Sequence, residues 1–244
     1  GFRLIMKTLH CENGIVAIEA NKPDCADAFR KIADGEPALR VETLEVKYPQ
    51  GAEHQLIKAL TNREIPWRGG LPMAVGCVVH NVATALAVWE AVHLNRPLIE
   101  SVITVSGDAV QNPGNFRVRI GTPISEVIAQ AGIAPDIKKL VYGGPMMGIA
   151  QRGLDAPLIK GASGLLALKE SASGESGPCI RCGRCVRACP YGLTPAAISR
   201  AAEQGSLDMA VEWNVLECKE CGCCTFVCPA LRPIVHQVKF AKME

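Results

Sequence analysis

Eight cysteines in two runs carry the clearest chemistry of this chain. Cys179, Cys182, Cys185 and Cys189 stand at C-x2-C-x2-C-x3-C with Pro190 behind, and Cys218, Cys221, Cys224 and Cys228 repeat the spacing with Pro229 behind. That is the bacterial spacing for two 4Fe–4S cubanes, in which the fourth cysteine of each run ligates the other cluster. Two residues between ligands let a short loop wrap the cluster, one corner per cysteine. Cluster one is therefore assigned Cys179, Cys182, Cys185 and Cys228, and cluster two Cys218, Cys221, Cys224 and Cys189. Structural zinc also uses paired C-x2-C but takes four ligands from two pairs, so the remaining cysteines would be surplus. Disulfides belong to exported chains, and Gly1 onward shows no basic n-region followed by an apolar core. Cys223 lies between ligands and has no place in the pattern; it is expected to pack near cluster two.

These runs need elements to hold them, and 244 residues allow two or three domains. Hydrophobic residues make up 48%, enough for a core, while 5% aromatics are few for a reader of nucleic acid by stacking. The net charge of +2, from 26 basic and 24 acidic residues, implies no polyanionic partner. Arg181, Arg184 and Arg187 surround the first run; they read as a solvated face, or else as a docking patch for an acidic electron-transfer partner. Twelve cysteines with redox spacing point to a reducing, cytoplasmic location. Leu71 to Leu94 is the most apolar region, but Gly76, His80, Asn81 and Glu90 interrupt it. A span needs about 20 apolar residues, so no bilayer crossing is expected.

Along the first hundred residues, strand and helix patterns alternate. Strands are expected at 15–18, 41–46 and 73–79, and helices from Asp24, from Ala52 and from Asn81 to about Leu94. Such alternation suits a parallel sheet covered by helices. Residues 99–105 and 116–120 read as strands around the turn Asn112-Pro113-Gly114-Asn115, then a helix follows Thr122-Pro123 and a strand precedes Gly143-Gly144-Pro145-Met146-Met147-Gly148. This strand–turn–strand–helix–strand module fits a β-grasp fold. A last strand is expected at 165–168, and the Ser/Gly-rich residues 169–178 read as a linker. Between the cysteine runs, 195–204 and 206–215 are helical, as is the tail from Ile234 to Met243. His10, His93 and His236 have no ligand partner in sequence, and Cys11, Cys25 and Cys77 read as isolated thiols.

Two corners could hold a ligand. At Gly76 to Thr84 an apolar run passes into a helix N-terminus, where free N–H groups and the helix dipole favour an anion, with Asn81 and Thr84 as extra donors. Asn81 is equally a good N-cap, so the residues alone leave both readings open. At Tyr48 to Glu53 a carboxylate stands in the first turn of a helix, which its favourable place on the dipole already explains.

Taken in order, Y-P-Q-G-A-E-H-Q-L-I-K-A-L-T at 48–61, H-N-V-A-T at 80–84, V-S-G-D-A-V-Q-N-P-G-N-F at 105–116, G-G-P-M-M-G at 143–148 and the two cysteine runs resemble the RnfC family, the C-subunits of the Rnf electron transport complex. The resemblance implies an α/β chain: a partial Rossmann-like flavin/NADH domain over 1–98, similar to the flavin- and NADH-binding subunit of respiratory complex I; a soluble-ligand-binding β-grasp domain over 99–150; a strand and linker over 151–178; and an α-helical dicluster ferredoxin domain over 179–244. It implies FMN and two 4Fe–4S clusters as cofactors, NAD(H) as substrate, and a peripheral place on the cytoplasmic face of the cell membrane beside the other subunits. By the same resemblance Asn81 and Thr84 match the flavin phosphate corner, and Glu53 and Tyr48 the loop beside flavin and nicotinamide. The expected activity is ferredoxin:NAD oxidoreduction coupled to Na+ or H+ transport. A corrinoid reductase of the propanediol-utilisation type and a non-catalytic ferredoxin-like wire stay open as alternatives. The family's G-x-G-G-x-G-F-P loop is absent from these residues and is expected upstream of Gly1.

Overall fold

The computed structural model describes residues 1–67, 69–170 and 174–243. The chain divides into two units, Gly1–Leu98 and Ile99–Glu244. Residues 171–173 of the expected linker lie outside the described residues.

In the first unit, α1 (Phe2–Thr8) precedes β1 (Gly14–Glu19), α2 (Pro23–Ala33) and β2 (Leu39–Leu44). β1 and β2 pair in parallel, from Gly14 opposite Leu39 to Glu19 opposite Leu44, and α2 is the crossover that a parallel pair requires. Pro23 opens α2, where a missing N–H costs nothing. α3 (Glu53–Thr61) ends on Asn62 in the left-handed region. The strand expected at 73–79 does not form. Pro72–Val75 instead makes a 3-10 turn, closed by Gly76 at φ +68, whose N–H donates to the Met73 carbonyl. Proline at its start and a left-handed glycine at its end both oppose extension, and Met73 and Val78 are exposed rather than buried. The apolar character of the run is real; its burial is not. α4 (Val82–Leu94) then starts where expected, with the Asn81 Oδ1 accepting the Ala83 N–H at 2.9 Å.

In the second unit, β3 (Glu100–Ser106), β4 (Gly114–Arg119), α5 (Ile124–Ala131), β5 (Lys139–Tyr142), β6 (Ile149–Gln151) and β7 (Gly164–Leu168) build a five-stranded sheet in the order β4-β3-β7-β5-β6. β7 is parallel to β3 and antiparallel to β5, so the sheet runs past residue 150 and its last strand sits in the middle. Alternation along β3 turns Ile103 and Val105 inward, where they meet Ile124, Val127, Leu158 and Leu165, all essentially without exposure. Gly107 follows β3 at φ +119 and lies so close to β7 that an added Cβ would stand 1.9 Å from the Ala167 oxygen. Only glycine can hold that position.

The rest of the unit is helical: α6 (Arg184–Arg187), α7 (Pro195–Glu203), α8 (Leu207–Glu212), a 3-10 turn at Val215–Glu217, α9 (Cys223–Phe226) and α10 (Ile234–Met243). α8 is shorter than the pattern over 206–215 suggests, because the chain tightens at Asn214, in the left-handed region at φ +59. Residues 179–203 and 218–242 repeat one another at an offset of 39 residues: Cys179 maps to Cys218, α6 to α9, and α7 to α10. α7 and α10 pack together over a core that includes Ile198, Ala201, Val215, Ile234 and Val238.

Candidate functional site

Each cysteine run is a loop that turns through the left-handed region twice at matched places. Arg181 (φ +55) and Gly183 (φ +72) do so in the first run, Glu220 (φ +57) and Gly222 (φ +85) in the second. Right- and left-handed residues in succession turn their N–H groups into a concave nest, the backbone form found around many iron–sulfur sites. The glycines are legible in sequence as C-G pairs. Arg181 and Glu220 are not, since nothing in their side chains favours a positive φ.

The second set is gathered on one small pocket lined by Cys189, Cys218, Cys221 and Cys224 with Leu193, Ile198 and Val235. Cys189, the fourth cysteine of the first run, thus faces the three leading cysteines of the second. The Glu220 N–H donates to the Cys218 sulfur at 3.4 Å, the kind of bond that tunes an iron–sulfur centre. In the first set Cys179 acts electrostatically on Cys185, which receives a backbone hydrogen bond from Ala196. Cys185, Cys189, Cys218, Cys224 and Cys228 all belong to the apolar cluster beneath the two runs. Cys182 is the exposed member, beside exposed Arg181, Arg184 and Arg187.

Burial pushes the Cys185 and Cys218 thiols up and takes Cys224 to about 12. A nucleophilic cysteine shows the opposite shift. Cysteines held like these become thiolates when a metal supplies the charge. Among the described residues no cysteine is in a disulfide, and no three His, Cys, Asp or Glu side chains close on a single metal ion. Four thiolates on one zinc would stand about 3.8 Å apart at its Zn–S length of ~2.3 Å, whereas a cubane offers each cysteine a separate iron. Cys223 lines the same pocket as the second set, and burial followed by a hydrogen bond with Cys221 raises its thiol to about 11.

In the first unit the Asn81 carboxamide oxygen is committed to capping α4, which leaves its NH2 group and the exposed Thr84 hydroxyl as donors at a 13-residue helix N-terminus. That donor set fits a phosphate. Glu53 is exposed at the start of α3, and Tyr48 is half-exposed before it. Cys11 and Cys25, isolated as expected, are exposed rather than buried. Among the described residues no helix is long and apolar enough to cross a membrane.

Three family models match successive stretches of the chain. Residues 1–90 match the Nuo51 FMN-binding domain, 102–150 the SLBB domain and 173–229 the 4Fe-4S dicluster domain. The C-subunit of the proton-translocating ferredoxin:NAD(+) oxidoreductase complex of Clostridium ljungdahlii is 45% identical over 100% of this chain and 54% of its own length. Its Na(+)-translocating counterpart from Acetobacterium woodii is 40% identical over 100% of this chain and 56% of its own. The C-subunit of the ion-translocating oxidoreductase complex of Rhodobacter capsulatus is 41% identical over 99% of this chain and 47% of its own. The chain spans about half the length of these curated relatives. Among solved structures, an NAD+-reducing [NiFe]-hydrogenase in its H2-reduced state shares the fold at a TM-score of 0.63 and 16% identity, over 97% of this chain and 49% of the hydrogenase chain. Over its whole length, then, this chain is similar to the C-subunits of ion-translocating oxidoreductase complexes.

Proposed function

We propose that this chain serves a membrane-associated ferredoxin:NAD oxidoreductase coupled to Na+ or H+ translocation, as part of a peripheral subunit on the cytoplasmic face that passes electrons between NAD(H), a flavin and two 4Fe–4S clusters. The observation that carries the reading is Cys189 facing Cys218, Cys221 and Cys224 across one pocket, in a chain whose entire length matches the C-subunits of such complexes. Flavin exchanges a hydride with nicotinamide and single electrons with iron–sulfur clusters, and so joins two-electron to one-electron chemistry.

The chain's own residues supply the positioning. In this reading Cys179, Cys182, Cys185 and Cys228 hold cluster one, and Cys218, Cys221, Cys224 and Cys189 hold cluster two. The apolar residues under both runs keep water back, and the N–H groups that reach Cys185 and Cys218 stabilise their negative charge. Asn81 and Thr84 bind the flavin phosphate at the start of α4, while Glu53 and Tyr48 border the flavin and nicotinamide. The first unit is read as part of a Rossmann-like domain and residues 99–150 as a β-grasp domain, whose sheet β7 completes. Residues 151–178 form its strand and linker, and 179–244 the dicluster ferredoxin domain. The partners are NAD(H) and the other subunits of the complex.

The test is NADH oxidation with an artificial acceptor, by the subunit at the full length of its relatives, purified anaerobically with flavin and eight irons verified. Reduction of the acceptor is expected. A fully loaded protein that leaves NADH untouched overturns the assignment.

A further inference from the structure

The two cysteine runs repeat one another, yet among the described residues only the glycine of the second meets another backbone. Gly222 lies between Cys221 and Cys224 and is buried, and a Cβ placed on it would stand 2.6 Å from the Met146 carbonyl oxygen and 3.4 Å from its carbon. Its counterpart 39 residues earlier, Gly183, would meet only the Nη1 of Arg187, at 3.3 Å, the far end of a flexible side chain. Met146 sits in the turn 143–148 that joins β5 to β6, and that turn is fixed from its own side. The Gly148 N–H donates to the Gly144 carbonyl at 2.8 Å and the Gly143 N–H to the Gly164 carbonyl of β7 at 2.8 Å. A Cβ on Gly148 would lie 2.5 Å from both the Gly144 oxygen and the Val141 side chain. A rigid corner of the sheet module is therefore seated, backbone to backbone, on the loop of the second run. The cysteines follow the same asymmetry. None of Cys189, Cys218, Cys221 and Cys224 is exposed, whereas Cys182 in the first run is.

We propose that the turn 143–148 is a lid that seals cluster two from solvent and fixes its surroundings, so that exchange with any external one-electron partner runs through cluster one. This rests on the cluster assignment above. It also gives G-G-P-M-M-G a role other than cofactor binding: its glycines let the backbone press against a cysteine loop.

The experiment is iron release from anaerobically loaded protein on exposure to oxygen and a ferrous chelator, beside redox titration followed by EPR. Cys179→Ser and Cys218→Ser variants label the signals of clusters one and two. Release in two phases of four irons is expected, the slow phase missing in Cys218→Ser. Gly222→Ala should speed the slow phase several-fold and shift the potential of cluster two while the fast phase stands still. Gly183→Ala carries the same left-handed backbone strain without the collision, and should leave the slow phase alone. Where Gly222→Ala does not load, the double variant Pro145→Gly, Met146→Gly decides, since it loosens the lid and touches neither cysteine run; it too should speed the slow phase. A slow phase and a cluster-two potential unchanged in that double variant overturn the lid, as does equal acceleration of both phases. Wild-type protein that takes up no cubanes fails the cluster assignment instead, a result visible before any variant is made.

Discussion

Lys242, on the closing turn of α10, donates from Nζ to the backbone carbonyl of Cys218 at 3.0 Å and pairs with the Glu220 carboxylate at 2.6 Å. The last helix thereby holds the start and the left-handed corner of the second run together. Charge-assisted bonds of this kind are strong when dry, but both side chains keep roughly a quarter of their exposure. Lys242→Met should accordingly cost about 1 kcal/mol, read as a lower urea midpoint of the anaerobic protein. Lys242→Arg should recover most of it.

A closed ring of polar groups joins α7 to α10. Arg232 donates to the Ser199 hydroxyl at 3.0 Å, Ser199 donates to the Gln237 carbonyl oxygen, Gln237 donates to Glu203, and Glu203 pairs with Arg232 at 2.5 Å. Ser199 has no exposure and Arg232 little, so breaking the ring at one point strands the remaining groups. Arg232→Met should destabilise by about 2 kcal/mol. The pair Arg232→Met, Glu203→Leu should cost less than Arg232→Met alone, and denaturant midpoints of the three proteins decide it.

Gly107 belongs to the V-S-G-D stretch, and its reason for being glycine is mechanical. Gly107→Ala should cost more than about 2 kcal/mol, from positive-φ strain and a collision with the Ala167 backbone. Gly161→Ala, at a position with nothing within 4 Å of an added Cβ, should leave the melting temperature where it is. Equal melting temperatures for both variants would refute the point.

Cys221 and Cys223 are neighbours in space and in sequence, yet only one is assigned to iron. Cys223→Ser is expected to keep eight irons per chain by colorimetric assay. Cys221→Ser should lose the second cluster and its EPR signal.

At Asn81, capping and phosphate binding can be separated by charge. Asn81→Asp keeps a good cap and suits the helix dipole, so stability should hold or rise slightly. A carboxylate beside a phosphate repels it, and FMN retention, measured by released flavin fluorescence, should fall by about tenfold, the equivalent of ~1.4 kcal/mol. Asn81→Ala should cost about 1 kcal/mol of stability for loss of the cap alone.

Local signals are the legible ones. Asn81 announces α4 and Pro195 announces α7, because each rests on neighbours within a few residues. The strand that does not form at 73–79 shows where composition misleads: β-branched and apolar residues are as compatible with an exposed turn as with a strand, and Gly76 decides between them. β7 can be read as a strand, but its insertion between β3 and β5 depends on partners 60 residues distant on one side and 23 to 29 on the other. β6 escapes notice because three residues carry too little periodicity to register. At the cluster loops Gly183 and Gly222 stand out, while Arg181 and Glu220 adopt the same left-handed turn with no chemical signature. The seat of Met146 on Gly222 lies beyond any local reading, since it joins two segments whose sequences say nothing of each other.

The 39-residue repeat also bears on biogenesis. If each half lends its final sulfur to its twin, neither can complete a cube while the ribosome is still making the other. Cluster two must then wait until Cys224 has emerged and cluster one until Cys228 has, which makes loading a late event and leaves a chain terminated before Cys218 unable to complete either cube.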